Sequence, residues 1–542
     1  MSIRHRAARA LVLAGLFLSL AGLGGGARAD EDTLRYVVRK DDTLIGLGQA
    51  LFENPHAWPE VQRLNRVTNP RRIPIGTVLS IPVRLLRKVP LEGRVVFAAG
   101  QTQLDGAPVE VGAIVGAGGQ LVTGERSFLT VELPDGSRLT MQPRSEVRIE
   151  SLHGYAGADG VQRADLSVNQ GRVETDVQAQ RGPAARYRIQ TPTAVIGVRG
   201  TSFRVSADAA VSRTEMRAGS VAVTGAKGGR RPVRLSEGYG LVAEAGKPLS
   251  APVALLAAPD LSELPRLQER PLVRFELAPI AGAIAYRGQV AADAGFTRIL
   301  AEAHSAVPEV KFDGLPDGDY FMRVRGIDPH GLEGRDAQMA FRLKARPEPP
   351  VVNAPRADSK VRAGRVDFAW TRPAGAERFR FELAGDSDFA EPLVAETDLT
   401  GTGLTRSLET GTYVWRLGST RADGDRGPWG DPVTLTVRPP MADVPPPAFD
   451  ADHMYFAWSG DPGQRFEYQL AEDDRFDTLV ASGEVGVPEL SLPRPGPGAY
   501  FLRLRAIDPD GFVGAYSSAQ QVIVPAQTPG WLLGVPLLLI FL

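Results

Sequence analysis

The residues of this chain with the types for chemistry do not stand at the spacings chemistry needs. Histidine titrates near neutral pH and ligates metals, yet only six occur in 542 residues. His56, His153, His304, His330 and His453 are scattered singly, without metal-ligand spacing, and read as isolated surface histidines. Asp423-Gly424-Asp425 and Glu472-Asp473-Asp474 offer the oxygen ligands calcium takes, but neither runs on into a loop with a bidentate Glu, so they read as solvated turns. The sequence has no Gly-x-Ser-x-Gly elbow and no zinc-protease His pair. It has no cysteine, hence no thiol nucleophile, disulfide frame or lipid-attachment site. A carboxylate pair for glycan hydrolysis needs only proximity in space, and nothing in the sequence points to one. Arg199, between Gly197 and Gly200, is the residue type that clamps a carboxylate or phosphate; an internal ion pair is the reading preferred here. No helix start follows those glycines, as a phosphate loop requires. The residues therefore predict binding rather than turnover: no enzyme activity, no cofactor and no metal.

The candidates for binding lie near the N-terminus, behind an export signal. Arg4, Arg6 and Arg9 precede an apolar run from Leu11 to Leu23, and Ala27-Arg28-Ala29 fits a signal-peptidase site, so residues 1–29 read as a signal peptide. The run is shorter than the roughly 18 residues a membrane span needs. Cleavage there leaves 513 residues with 58 basic against 63 acidic side chains, a balance that predicts no nucleic-acid partner. A chain this long exceeds one core and divides into domains. Its 59 Gly and 43 Pro, set between short Val, Ile, Leu, Phe and Tyr runs, are the texture of β domains with tight turns. The fold class expected is mainly β and multidomain.

Residues 34–83 are the exception. Leu34 to Arg39 reads as a strand, Thr43 as the cap of a helix running toward Leu51, and Trp58, Val61 and Leu64 as one apolar face of a second helix. A closing strand follows at Val78 to Ile81. Tyr36-Val37-Val38, Asp42-Thr43-Leu44, Leu64-Asn65-Arg66-Val67, Asn69-Pro70 and Ile75-Gly76-Thr77-Val78-Leu79-Ser80-Ile81-Pro82 resemble the LysM pattern in order and spacing. That resemblance implies a βααβ module binding peptidoglycan, an N-acetylglucosamine-containing glycan. It implies a shallow sugar groove with Asp42, Thr43 and Leu44 on one side and Asn69, Pro70 and Ile73 on the other. Where the family has Gly before the Asp-Thr pair, this chain has Asp41, a residue that tolerates a left-handed turn. Gly46 and Gly48 dilute the first helix. Thr43 as cap only, and Asn69 as turn residue only, remain equal alternatives.

Residues 89–255 read as an all-β domain. Asp135-Gly136 is a hairpin turn, and Phe128 to Leu133, Leu166 to Val168, Gly171 to Thr175, Tyr187 to Gln190, Thr201 to Val205 and Gly219 to Val223 read as strands. Leu133-Pro134-Asp135-Gly136-Ser137-Arg138-Leu139, Gly171-Arg172-Val173 and Thr191 to Phe203 resemble a FecR domain. Founding members of that family relay a signal from an outer-membrane transporter to an anti-sigma system through a transmembrane helix. With only a cleavable signal in that position, the resemblance implies here an extracytoplasmic interaction domain.

An internal repeat fills residues 270–346, 351–438 and 448–525. Asp293, Asp386 and Asp473 each precede a Phe by three residues and a Tyr by 27. After each of Tyr320 and Tyr500 an alternating strand places apolar side chains on one face and arginines on the other. Units of this size suit β-sandwiches and resemble fibronectin type III domains, with Trp370 and Trp458 in early core strands and each Tyr in core packing. Proline-rich joints at Arg346 to Pro350 and Pro439 to Pro447 predict stiff, extended linkers and hence a rod. Residues 526–542 end in an uncharged run with three readings: membrane contact, packing on the last repeat, or the remnant of a longer segment.

Together these readings predict a protein of the periplasm or cell envelope: a peptidoglycan-binding scaffold or adaptor presenting β domains to unidentified envelope proteins. The alternative is a sensory or regulatory component whose FecR-like domain contacts an envelope receptor.

Overall fold

The computed structural model describes residues 33–179, 186–198, 200–226, 231–441 and 443–526. The expected signal peptide, Arg199 and the tail from residue 527 on lie outside the described residues. The chain is mainly β, in several sheets, with two short α-helices near the N-terminus. Among the described residues, no helix is long and apolar enough to cross a membrane. There are two compact units: Met1–Leu264 with Phe275–Phe312 and Tyr320–Ala340, and Pro265–Arg274 with Asp313–Asp319 and Phe341–Leu542.

The first unit opens with β1 (Thr33–Val37), α1 (Leu44–Leu51), α2 (Trp58–Leu64) and β2 (Val78–Pro82), β1 and β2 pairing antiparallel from Thr33↔Pro82 to Val37↔Val78. Thr43 Oγ1 accepts from the Gly46 amide at 2.9 Å, capping α1 as the sequence predicts. Val61 is buried, but Leu64 is 51% exposed. Three-residue steps fall about 60° short of a full turn, so Trp58 and Leu64 flank Val61 on opposite sides. Gly48 has a packing role: a Cβ there would lie 2.5 Å from the Pro55 carbonyl oxygen. The module's core extends outward to Ala158, Tyr155 and Val161 at the tip of a hairpin from the next domain.

That domain is a closed barrel over one core that includes Val95, Leu129, Met141, Leu166, Phe203 and Leu241. Asp135-Gly136 makes its hairpin, joining Phe128–Glu132 to Arg138–Met141, with Gly136 at φ +81°. The segments 166–168 and 171–175 are not two strands but one, Ala158–Asp176. Its first half pairs with Glu146–Tyr155 and its second with Arg138–Met141 and Ser202–Ala207. At the crossing Gly171 has φ +91°, and a Cβ would meet the Ser145 Cα at 2.4 Å, so the strand bends where other residues would end it.

The remainder of the first unit is most of the first repeat, where Ala285–Ala291 pairs antiparallel with Ile299–Ser305 and with residues 321–327. In the second unit, the second repeat sets Val352–Ala354, Gly364–Trp370 and Gly403–Leu408 against a sheet containing Arg378–Ala384, Gly411–Thr420 and Val433–Arg438. Between them Phe368 meets Trp415 and Phe381 edge-on, at 4.9 and 5.0 Å, with Trp370 buried beside them. The third repeat has the same plan, with Trp458 buried.

The repeated Asp, Phe and Tyr share one local design. Each Phe has a left-handed backbone: Phe296 φ +52°, Phe389 φ +56° and Phe476 φ +62°. The arginine three residues after each Tyr lies over that ring, Arg323 at 4.3 Å, Arg416 at 4.1 Å and Arg503 at 4.0 Å. The hydroxyls of Tyr413 and Tyr500 each donate to a carbonyl four residues upstream, on Glu409 and Gly496, as a tyrosine corner does.

Candidate functional site

The residues expected to hold glycan sit where two loops of the N-terminal module meet. The Leu44 amide donates to the Pro70 carbonyl at 2.8 Å, so Asp42, Thr43 and Leu44 stand directly beside Asn69 and Pro70. Asp41 takes the left-handed turn at φ +69°. The Asp42 carboxylate accepts from the Arg39 amide at 2.7 Å and from the Tyr36 hydroxyl at 2.9 Å. Partial burial, and then the Asp42 carboxylate, push the Tyr36 phenol up. Asn69 Oδ1 accepts from the Arg71 amide at 2.9 Å, and the Asn69 side chain is exposed. Leu44 and Ile73 point inward as core residues. The structure thus gathers the six residues at one place and gives most of their side chains local work. What this surface presents outward is the exposed Asn69 side chain, with the half-buried Asp42 beside it.

A second constellation lies on the barrel's flank, under the first repeat. From the barrel come Arg172 and Glu174 (Ala158–Asp176), Arg204 (Ser202–Ala207), and Glu215 and Arg217 (Val211–Ala218). Facing them stand Arg287, Glu302, Arg323, Arg325, Glu333 and Asp336. Arg323 reaches Glu174 at 2.8 Å and Arg325 reaches it at 3.4 Å. Arg287 and Arg325 both grip Glu333. Arg204 reaches Asp336 at 3.0 Å and donates to the Glu333 and Gly334 carbonyls at 2.9 and 2.6 Å. Arg217 reaches Asp336 at 3.1 Å. Arg323 and Arg325 are 1% and 0% exposed.

The strand alternation predicted those two arginines on a solvated face; instead the barrel covers it. Beside the ions, Phe128 and Phe97 of the barrel pack with Ala291, Phe296, Ile299 and Phe321. Thr130 donates to the Thr297 carbonyl at 2.8 Å. The trace of this joint in the sequence is charge at every second residue, in Arg172-Val173-Glu174, in Arg213-Thr214-Glu215-Met216-Arg217 and in Arg323-Val324-Arg325, which places the charges of each strand on one face.

Burial alone raises a carboxyl, but Arg323, Arg325 and Arg217 outweigh it at Glu174 and hold that group below its usual range. Arg287, Arg325, Arg204 and Arg172 do the same, more strongly, at Glu333. Glu215 goes the other way, pushed up to about 7 by burial, with Arg204 opposing and Glu333 adding to the rise. These ion pairs join the barrel to the first repeat. Elsewhere, Asp425 is paired with Lys344 at 2.9 Å, and the Asp473 carboxylate accepts the amides of Arg475, Asp477 and Thr478. Among the described residues, no group of three or more His, Asp or Glu is placed to hold a metal.

A family model described as FecR protein matches residues 119–222, which fall on the barrel. No curated protein matches the chain. Among solved structures, a candidate anti-sigma factor from Parabacteroides distasonis ATCC 8503 is 17% identical over 25% of this chain and 59% of its own, with a TM-score of 0.21. The fibronectin(III)-like modules of Clostridium thermocellum CbhA are 13% identical over 32% of this chain and 93% of theirs, with a TM-score of 0.20. The FN1–FN3 domains of chicken CNTN1 are 13% identical over 50% of this chain and 98% of theirs, with a TM-score of 0.18.

Proposed function

We propose that this chain, exported through residues 1–29, is a sensory or regulatory component of the cell envelope whose FecR-like barrel contacts an envelope receptor. The observation that carries this reading is the FecR match at residues 119–222. In the same proposal residues 34–83 act as a LysM module that holds the barrel near peptidoglycan, with Asn69, Asp42 and the adjoining backbone facing the sugar. Crosslinking in intact envelopes tests the regulatory role: a transporter or sigma-factor regulator is expected on the chain, and recovery of wall fragments alone would sink it.

The scaffold reading keeps one supporting observation, the hydrogen bond from Leu44 to Pro70 that unites the two loops. Asn69→Arg puts a bulky cation on that exposed loop without touching the Thr43 cap. Retention of the purified chain on peptidoglycan is expected to fall several-fold; unchanged retention would remove wall binding from the account.

A further inference from the structure

A concave face of the barrel stands apart from both sites described above. Five strands cross it in the order Ala158–Asp176, Arg186–Gln190, Ala194–Val198, Ser220–Gly225 and Val233–Ser236. Their outward residues line a cleft of about 520 Å³. The floor carries almost no side chain: Gly197 and Ala222 are both exposed, and a Cβ on Gly197 would meet nothing closer than the Ala222 carbonyl oxygen at 3.9 Å. Arg163, Arg186 and Arg188 stand at one end and Arg234 at the other, against a single lining carboxylate, Asp165.

Asp165 is nearly buried and fixes two of these arginines, taking Arg163 Nε at 2.9 Å and Arg188 Nε at 2.8 Å. Gripped through the inner nitrogen, the terminal nitrogens of Arg188 take no part in that bond, and a guanidinium fork matches a second carboxylate. Four inter-strand steps of about 4.8 Å make the face about 19 Å long, which about six residues of extended chain span at about 3.3 Å each. A bare floor admits a polypeptide backbone, and cations at both ends fix its charge.

We propose that this face, with Arg163, Arg186, Arg188 and Arg234 around Gly197 and Ala222, is the docking groove for an acidic, extended segment of a partner protein. It deepens the regulatory reading and rests on it only for the partner being an envelope protein. Crosslinking in envelopes tests that reading, whereas binding by the purified chain tests the groove, so either can fail alone.

The probe is a fluorescein-labelled hexapeptide with acidic residues at alternate positions, followed by fluorescence anisotropy on the full exported chain. Saturable binding is expected, weakened by added salt. Arg234→Glu reverses the charge at one end and Gly197→Leu fills the floor, and each is expected to weaken binding at least about tenfold with the thermal transition unchanged. Should Gly197→Leu unfold the barrel, Ala222→Glu on the exposed floor takes its place, with the same loss expected. No binding by the parent chain, equal binding of a lysine-substituted peptide, or unchanged affinity in the variants would overturn the proposal. Displacement by inorganic phosphate at equal concentration would overturn it too, since the face would then be a general anion site.

Discussion

At Glu333 the protein places one buried carboxylate among the buried Arg287, Arg325 and Arg204 and the half-exposed Arg172. Removing it strands buried cations, which typically costs about 3–5 kcal/mol. Glu333→Ala is therefore expected to lower the stability of the joint by that order, seen as faster hydrogen exchange in Ala285–Ala291 and residues 321–327. Unchanged exchange there would show that the network carries no stability. Glu215 gives the joint a pH signature. With its folded value raised to about 7, the folded state holds a proton that the unfolded state has already lost. Its contribution is full below the unfolded value and is lost as pH rises through about 7. Glu174 and Glu333, both lowered, contribute above their unfolded values and lose that contribution on acidification. Between pH 5 and 8 the parent is expected to lose protection in these strands relative to Glu215→Gln; parallel pH profiles would refute the assignment.

Among the elements, those decided by adjacent residues were legible. The Thr43 cap, the Asp135-Gly136 hairpin and the turn at Glu472-Asp473-Asp474 each close within a few residues. The turn of the third repeat is held by three amides on Asp473, so Asp473→Ala is expected to lower the stability of that repeat, read from the unfolding of a chain in which Trp458 reports. No change would show that water satisfies those amides equally. Elements whose surroundings come from far along the chain were not legible. Phe128 and Thr130 alternate with Leu129 and Val131 as in a half-buried strand, yet all four are buried, because residues near 297 cover the second face. Arg323 reads as solvated until Glu174, 149 residues earlier, is brought against it. The loops at Asp328-Pro329 and Asp508-Pro509 look alike in sequence and share their turn hydrogen bonds, but their use is set by what they face. The first gives carbonyls of His330, Glu333 and Gly334 to Arg213 and Arg204. The second gives carboxylates to Arg362, Lys360 and Arg438 of the second repeat. Of the candidate glycan site, the adjacency of the two loops was readable; the inward turn of Leu44 and Ile73 was not, because it is set by the core they share with Val38, Leu47, Val61 and Leu79 from along the whole module.

For the molecule, the consequence is that the first unit is more than modules on a string. The N-terminal module takes Tyr155, Ala158 and Val161 from the barrel into its own core. Backbone bonds continue the link, from Arg87 to the Leu51 carbonyl at 2.8 Å and from Ala156 to the Arg87 carbonyl at 3.0 Å. A module fixed in this way carries its neighbour at a set offset, so a grip on the wall would also position the barrel's Arg-lined face. Gly157 is the tightest point of the contact: its φ is +72°, and a Cβ there would lie 2.8 Å from Leu51 Cδ2. A β-branched residue pays both the backbone strain and the clash. Gly157→Val is expected to loosen the module first, so that Trp58 fluorescence, isolated as the difference from a Trp58→Phe chain, changes at a lower temperature than the circular dichroism of the β domains. If the two transitions stay together at the parent temperature, the module is held by its own core and the hairpin tip contributes nothing to placing the barrel.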